Sequence, residues 1–357
     1  MSFFKKFIVP IIKNRRLKFL STPNIIFLVA VLTLVVIFSP SPLKLKWIGL
    51  FLAMFSTMAN DSIQTLGTFL TSNSKVSWWK LWIYISILFI LIILLGWFKT
   101  GGYLDFGKLK DIPYEPDFNI IQLVAPILLI FLTYNKIPAS TTFMILSIFS
   151  SENMISFMLL KTFSGYALGF TLSFFLWNFL YKHFNQVLTK KDISLKETEW
   201  KFLQWASTGL LWVIWLTQNT VNIVVYVPRL FTLREIILFI LLGIVMIGFI
   251  FYNKGGPIQE MVKQKSDMKN ARSATMINLC FAFVILSMSL YNSIPMATTW
   301  IFIGILAGRE IAVAKYNTNV EISNKYKNAY NLIIQDLLSA GFGITVSLIF
   351  SLLNTSL

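Results

Sequence analysis

Long apolar stretches separated by short polar ones run through most of this chain. The clearest are residues 78–98, 236–252 and 275–291. With their flanks they approach the roughly 20 apolar residues that a transmembrane helix needs. Composition agrees, because 56% of the 357 residues are hydrophobic and only 13% are charged, whereas soluble proteins carry about 25% charged residues. The pattern predicts an all-α integral membrane protein with about 9–11 transmembrane helices.

Two of the apolar stretches are interrupted by a polar pair. Asn60-Asp61 breaks the run 47–71, and Asn219-Thr220 lies in the run 202–227, 159 residues later. A longer phrase also occurs twice: Tyr-Asn-Lys-Ile-Pro-Ala-Ser-Thr-Thr at 134–142 and Tyr-Asn-Ser-Ile-Pro-Met-Ala-Thr-Thr at 291–299, 157 residues apart. Two unlike motifs that repeat in the same order at nearly the same spacing predict a duplicated fold. In an apolar chain, such a duplication indicates a transporter whose binding site lies between the halves.

The polar loops predict how the two repeats are oriented. The loop 99–119 contains more acids than bases, and the corresponding loop 254–272 is the most basic of the chain. Since cytoplasmic loops are enriched in lysine and arginine, the two loops are expected on opposite sides of the membrane, which favours inverted repeats. The number of crossings within 151–200 stays open. We expect a basic interfacial segment at 1–22, a first transmembrane repeat at 23–184, a charged linker at 185–200 and a second repeat at 201–357.

Net charge and reactive side chains narrow the choice of function. The formal net charge is +16, but the basic residues flank apolar runs, as expected for contact with membrane lipids rather than nucleic acid. Cys280 and His183 are the only residues of their types in the sequence. An intramolecular disulfide, a cysteine metal cluster and a multi-histidine metal site are therefore excluded, and no organic cofactor is expected.

The repeated phrase has the chemistry of a helix start inside the membrane. Proline is tolerated in the first helical turn, and Ser140, Thr141 and Thr142 place hydroxyls beside the unpaired N–H groups of that turn. The apolar stretches that follow, 143–149 and 300–306, are too short to span and precede polar strings at 150–153 and 308–310. Each repeat is thus predicted to contain a re-entrant hairpin.

Half-helix N-termini at membrane depth attract anions, because they combine a positive dipole end with free donors. Two such ends, one from each repeat, could hold one oxyanion near the midplane with Thr141, Thr142, Thr298 and Thr299 as candidates. The alternative is that these threonines donate to carbonyls of their own helices, as buried threonines often do.

Asp61 is the only acid between Lys46 and Lys99. A charge within a span costs about 2.5–3.5 kcal/mol on insertion scales, and it is a functional candidate by default. With Asn60, Gln64 and Thr65 it offers oxygen ligands for Na⁺, and it could equally carry a proton. The alternative is a helix cap at the membrane surface. Asp336, in the last apolar segment, is a weaker candidate.

The motifs resemble those of the inorganic phosphate transporter (PiT) family, which includes sulfate permeases. The resemblance rests on Ala-Asn-Asp-Ser-Ile-Gln-Thr-Leu-Gly-Thr at 59–68 and on the Pro-x-x-Thr-Thr phrases at 138–142 and 295–299. It implies phosphate or sulfate bound between hairpins and Asn-Asp helices, with uptake driven by Na⁺ or H⁺. On matching positions, the resemblance assigns Asn60 and Asp61 to the coupling ion and Ser140, Thr141, Thr142, Thr298 and Thr299 to the anion. We also expect Gln64 and Thr65 at the coupling-ion site, with Asp61 as the Na⁺ ligand, and Asn219, Thr220 and Asn222 at the anion site.

The chain also departs from the family pattern. Thr220 stands where a second aspartate is expected, Phe143 and Trp300 replace both hairpin histidines, and Ala297 replaces a serine. The loss of one carboxylate predicts fewer coupled cations. The resulting hypothesis is a cation-coupled carrier of phosphate, or second of sulfate, in a bacterial cytoplasmic (inner) membrane. A non-transporting sensor or scaffold and a membrane enzyme acting on lipid-linked substrates are the alternatives, and the choice between monomer and homodimer stays open.

Overall fold

A computed structural model of the chain describes residues 41–112, 114, 121–134, 139–189, 197–255, 271–291 and 293–316, with scattered positions at 33, 37 and between 330 and 349. In these ranges the secondary structure is helical, apart from one isolated bridge between Tyr103 and Leu230. The prediction of an all-α membrane fold is thereby confirmed.

In chain order the helices are α1 (Pro42–Asn60), α2 (Ser62–Ser72), α3 (Trp78–Lys99), α4 (Ile121–Tyr134), α5 (Thr141–Leu146), α6 (Glu152–Thr189), α7 (Glu197–Asn219), α8 (Val221–Val224), α9 (Leu233–Tyr252), α10 (Ala271–Tyr291) and α11 (Thr298–Tyr316).

Four of the described helices are long and apolar enough to cross a membrane: α3, residues 152–182 of α6, α9 and α10. α3 illustrates why they suit lipid. It buries Leu81, Ile85, Phe89 and Ile93 against the protein and exposes apolar residues on the opposite face. The exposed series is Ile83, Ile87, Leu91 and Leu95, again at intervals of four. A helix that is apolar on its outer face as well as its inner one belongs in hydrocarbon rather than water.

Both predicted polar interruptions are real helix breaks. α1 ends at Asn60 and α2 restarts at Ser62, and α7 ends at Asn219 and α8 restarts at Val221. The contacts of the two broken helices correspond as well. α1 packs against α4, α8 and α9, and α7 packs against α10, α2 and α3. Each broken helix thus contacts the helix that leads into the Pro-x-x-Thr-Thr phrase of its own half. From the other half it contacts the short helix after the break and the long helix that follows it.

The two Pro-x-x-Thr-Thr phrases lead into helices of different length. α5 has only 6 residues and is followed by a 3₁₀ turn at Ser147–Phe149 before α6 begins. α11 has 19 residues and continues through 308–310 to Tyr316. The predicted break after the second phrase is therefore wrong, whereas the helix after the first phrase is short as predicted. The re-entrant path itself stays a prediction for both.

Two features explain why α11 continues. Arg309 is buried, donates to Glu310 at 2.6 Å and lies over the ring of Trp177, so its charge is compensated within the protein. Gly308 and Gly304 bring α11 onto α6, because a Cβ at Gly308 would lie 2.2 Å from the carbonyl oxygen of Phe170. α6 contributes Gly165 and Gly169 to the same contact, next to Ile301. Their small-xxx-small spacing is typical of such close helix packing.

Several expectations fall outside the described residues: the segment 1–22, the residues 135–138, Asp336 and the side chain of His183. For the linker 185–200, helix α6 extends to Thr189 and α7 starts at Glu197. Helical structure therefore enters the predicted linker from both sides. The division into two repeats stays a prediction.

Candidate functional site

The two helix breaks and the two Pro-x-x-Thr-Thr turns meet in the interior. Asn60, Asp61, Asn219 and Thr220 at the breaks are each at most 2% exposed. The turns contribute four threonines, which are equally buried. They are Thr141, Thr142, Thr298 and Thr299. Side chains as far apart in the sequence as Asn60 and Thr299 thus form one polar region within an apolar bundle.

Asp61 is the centre of the first hydrogen-bond cluster. Its Oδ1 accepts from Asn60 Nδ2 at 2.7 Å, from Gln64 Nε2 at 3.3 Å and from the Thr299 hydroxyl at 3.4 Å. Gln64 Nε2 also donates to Thr299 Oγ1 at 2.9 Å. Asn60 Nδ2 reaches the first turn as well, through the carbonyl of Ala139 at 2.7 Å and Thr141 Oγ1 at 3.1 Å. The carboxylate therefore contacts groups from both halves of the chain.

The Asp61 carboxylate is buried without a cationic partner. Within the described part of the chain, no lysine or arginine nitrogen lies within 4.0 Å of it. An uncompensated charge in a low-dielectric interior is costly. Amide and hydroxyl donors offset part of this cost, and a bound cation or a proton would offset the rest.

A second cluster surrounds the other helix break. Asn222 Nδ2 donates to Thr142 Oγ1 at 3.4 Å and to Asn219 Oδ1 at 3.3 Å. Thr298 Oγ1 donates to the same Asn219 oxygen at 3.4 Å. The Thr142 hydroxyl donates to the carbonyl of Met296 at 3.2 Å, which joins the two turns directly.

The two clusters are built in the same way. The asparagine that ends each broken helix contacts the turn of its own half: Asn60 bonds to Thr141, and Asn219 to Thr298. The helix that follows each break contacts the turn of the other half, through Gln64 to Thr299 and through Asn222 to Thr142. Neither turn can shift without affecting both broken helices.

Three amide oxygens at the site have no hydrogen-bond partner among the described residues: Asn60 Oδ1, Gln64 Oε1 and Asn222 Oδ1. Unsatisfied buried acceptors are rare in folded proteins. Together with the Asp61 carboxylate, they are oxygen ligands of the kind that hard cations prefer. These oxygen ligands therefore fit a small hard cation better than a transition metal. In the described ranges, no three His, Cys, Asp or Glu residues are grouped so that they could hold a metal ion.

The structure also separates the candidates by what their side chains do. Thr220 donates to Leu216 O at 2.7 Å in its own helix, and Ser140 caps α5 by accepting from Phe143 N at 3.2 Å. Thr65 is fully buried on α2. The alternative that the turn threonines donate to carbonyls of their own helices is not seen for Thr142, Thr298 and Thr299, which bond to other elements. The alternative of Asp61 as a surface cap is wrong, because the side chain is 1% exposed and makes no capping bond.

Some residues that shape the site were missed from the sequence. Lys161 of α6 donates to the carbonyl of Ile294 at 2.6 Å, and Thr162 accepts from Ala297 N at 3.3 Å, so α6 holds the second turn. Thr68 bonds to Asn278 at 2.8 Å, and Asn278 to Thr208 at 2.9 Å. Only Asn278 had a local signal, as a polar residue inside an otherwise apolar run.

Comparisons with known proteins bear on the fold. No family model and no curated protein matches the sequence. A solved structure titled "The sodium-dependent phosphate transporter" matches with a TM-score of 0.56 and 16% sequence identity, over 87% of this chain and 99% of that one. At this identity the likeness concerns the fold. The chain is a multi-pass helical membrane protein that shares its fold with that transporter.

Proposed function

We propose that the protein is a secondary transporter of a small inorganic oxyanion, phosphate first and sulfate second, coupled to Na⁺ or H⁺ in a bacterial cytoplasmic membrane. The observation that carries the proposal is the buried Asp61 carboxylate. It has no cationic side chain within the described residues, yet it touches the threonine turn of the opposite half through Thr299. The shared fold with a sodium-dependent phosphate transporter supports the same reading.

The proposed coupling follows from charge. A cation or proton at Asp61 removes the negative potential that would otherwise repel an entering oxyanion. The anion then binds where the first turns of α5 and α11 present N–H groups and the hydroxyls of Thr142 and Thr298. Because Thr299 contacts both Asp61 and Gln64, occupation of the cation site orders the anion site. Alternating access between the two sides completes the cycle.

The second helix break limits the number of coupled charges. Thr220 occupies the position equivalent to Asp61, and its hydroxyl donates within its own helix. It supplies no charge. We therefore expect fewer cations per anion than in a transporter with an aspartate in each repeat.

The test is uptake of radiolabelled phosphate and sulfate into proteoliposomes, with a sodium gradient, with a proton gradient and with neither. Uptake of one anion that depends on one gradient supports the proposal. Binding without accumulation under any gradient contradicts it.

Asp61→Asn gives a sharper version of the same test, because it removes the charge and keeps the shape of the side chain. Gradient-driven uptake is expected to be abolished while the protein remains folded. Glu152→Gln, a change of an exposed acid at the start of α6, is the matched control and should transport normally. Retained cation-dependent uptake by Asp61→Asn would rule out the assigned role.

A non-transporting relative that serves as a sensor or scaffold is the second candidate. The observation in its favour is the neutral Thr220 at the second break. This candidate predicts saturable anion binding in detergent but no flux in any gradient, so the uptake experiment separates it from a carrier.

A further inference from the structure

A polar cavity lies at one end of the bundle, outside the two clusters described above. Its volume is about 370 Å³. Its walls come from three parts of the chain: the turn after α3, the end of α7, and the end of α10 with the residues after it. The polar lining residues are Lys108, Lys110, Thr217, Gln218, Ser289 and Ser293.

Three of these side chains are arranged around one hydroxyl. Lys108 Nζ and Gln218 Nε2 each donate to Ser289 Oγ at 3.0 Å. Because Ser289 Oγ accepts both bonds, its own hydrogen remains available to a ligand. Lys108 retains two further N–H groups. Lys108 is 7% exposed and Gln218 is 4% exposed, so both are held in place rather than free in solvent.

The cavity carries positive charge. Lys108 and Lys110 line it, and Lys161 of α6 is close enough to repel Lys108. Among the described residues, neither Lys108 nor Lys110 is paired with a carboxylate. Burial lowers the pKa of Lys108, because an ammonium group is less stable away from water than in it. An anion in the cavity would offset that cost.

The amide of Gln218 fixes the position of Ser289. Its Nε2 donates to Thr217 Oγ1 as well as to Ser289 Oγ, each at 3.0 Å. Since both of its N–H groups are used in these bonds, Gln218 positions the Ser289 hydroxyl rather than binding a ligand itself.

The location connects the cavity to the proposed transport path. Gln218 directly precedes Asn219 at the helix break, and Ser293 lies two residues before Pro295 of the second turn. At the repeat offsets, the first half has Ala59 in place of Gln218 and Leu132 in place of Ser289. In each of these two pairs, the residue of the second half is polar and the residue of the first half is apolar. The two ends of the proposed transport path are therefore chemically different.

We propose that this cavity is a second binding site for a tetrahedral oxyanion of the phosphate and sulfate class, held by Lys108 and by the Ser289 hydroxyl that Gln218 positions, before it enters the central site. The waiting role rests on the proposed transport function, whereas the binding itself does not. The same chemistry would accept the phosphate of a lipid headgroup, so the experiment separates free anion from lipid.

Binding is measured by calorimetry on the full chain in a phosphate-free maltoside detergent, titrated with inorganic phosphate or sulfate. Lys108→Gln and Ser289→Ala are each expected to weaken binding about 10-fold or more, as for loss of a hydrogen bond to a charged group. Lys108→Arg keeps the charge and should retain most of the affinity. Lys80→Gln removes an exposed lysine beside Trp79 and should change nothing.

A lipid arm repeats the titration with a short-chain phosphatidylglycerol. Binding of this lipid with no binding of free phosphate or sulfate would overturn the waiting site. An unchanged affinity for both free anions in Lys108→Gln and in Ser289→Ala would overturn it as well.

Uptake provides the readout of the waiting role. With the site weakened, the KM for the anion should rise about 10-fold, while the maximal rate stays close to that of the unmodified protein. An unchanged KM contradicts the role even if the anion binds. If no variant and no wild-type sample transports, the proposed transport function fails, and the calorimetric comparison still decides whether the cavity binds anions.

Discussion

Gln64 and Thr299 are 235 residues apart in the sequence and are joined by a hydrogen bond of 2.9 Å between Nε2 and Oγ1. The same Thr299 hydroxyl is 3.4 Å from Oδ1 of Asp61. One small side chain of the second threonine turn thus touches the buried carboxylate and the amide beside it. This contact directly connects the predicted cation site and the predicted anion site.

Thr299→Val should uncouple the two sites. Valine keeps the shape of threonine and removes the hydroxyl, so Gln64 Nε2 loses a partner in a buried position. A lost hydrogen bond to a charged or buried group costs about 1–3 kcal/mol, and the concentration of Na⁺ or H⁺ that half-activates uptake should rise by about 10-fold.

The control is Thr299→Ser, which restores the hydroxyl and should recover most of the cation affinity. Thr298→Val, at the neighbouring residue that contacts Asn219 instead, should impair anion affinity more than cation affinity. Equal effects of Thr298→Val and Thr299→Val on the cation dependence would contradict the separation of the two clusters.

Thr220→Asp should add a coupled charge. The new carboxylate would lie at the second helix break, in the position that corresponds to Asp61. Buried and uncompensated, it would cost about 2.5–3.5 kcal/mol, so the folded protein should bind an additional cation. The Hill coefficient for the coupling cation should increase, as should the current per anion in solid-supported membrane recordings.

Thr220→Asn is the neutral comparison for this experiment and should leave the stoichiometry unchanged. A folded Thr220→Asp protein with the original stoichiometry would show that the second break cannot hold a cation.

Gly308→Ala should destabilise the protein through overpacking. An added Cβ would lie 2.2 Å from the backbone oxygen of Phe170, so α6 and α11 would have to separate. Overpacking of this kind typically costs about 1–3 kcal/mol. Gly341→Ala is the matched control, because a Cβ there would meet no atom of the described residues within 4 Å and alanine favours helix. Thermal unfolding in detergent should show a lower midpoint for Gly308→Ala and not for Gly341→Ala.

Arg309→Met alone should destabilise the protein more than Arg309→Met combined with Glu310→Gln. The side chains of Arg309 and Glu310 are 8% and 21% exposed and pair at 2.6 Å. Removal of one partner of a fully buried pair costs about 3–5 kcal/mol, and the effect should be smaller here because Glu310 keeps some contact with solvent. Thermal midpoints of both variants test this, and a double variant less stable than the single one would contradict it.

The polar breaks and the repeated turns could be predicted because their signals are local. A carboxylate and an amide in an apolar run, such as Asp61 beside Asn60, cannot be accommodated without a helix break or a partner. The sequence predicted that the turns and the breaks form a site between the halves, but not which residues bond to each other. Nothing local indicates that Gln64 reaches Thr299 or that Asn222 reaches Thr142.

The missed features depend on distant partners. The string Gly308-Arg309-Glu310 suggested a helix end, but the end is avoided because Trp177 and the backbone of α6 lie beside it. The cavity depends on Lys108 and Ser289, which are separated by 181 residues. Spacing along the sequence carries no information about such a contact.

Helix α6 has a further consequence for how this molecule moves. It has 38 residues, which is about 57 Å of helix, and it belongs by sequence to the first half. Its hydrogen bonds, however, reach the second half: Lys161 donates to the carbonyl of Ile294, and Ser173 donates to the carbonyl of Ile305 at 2.7 Å. A displacement of the second turn would therefore also displace α6. Helix α6 is therefore expected to move with the second half, although it belongs by sequence to the first. A cut through the linker would not divide the chain into two pieces that are stable on their own.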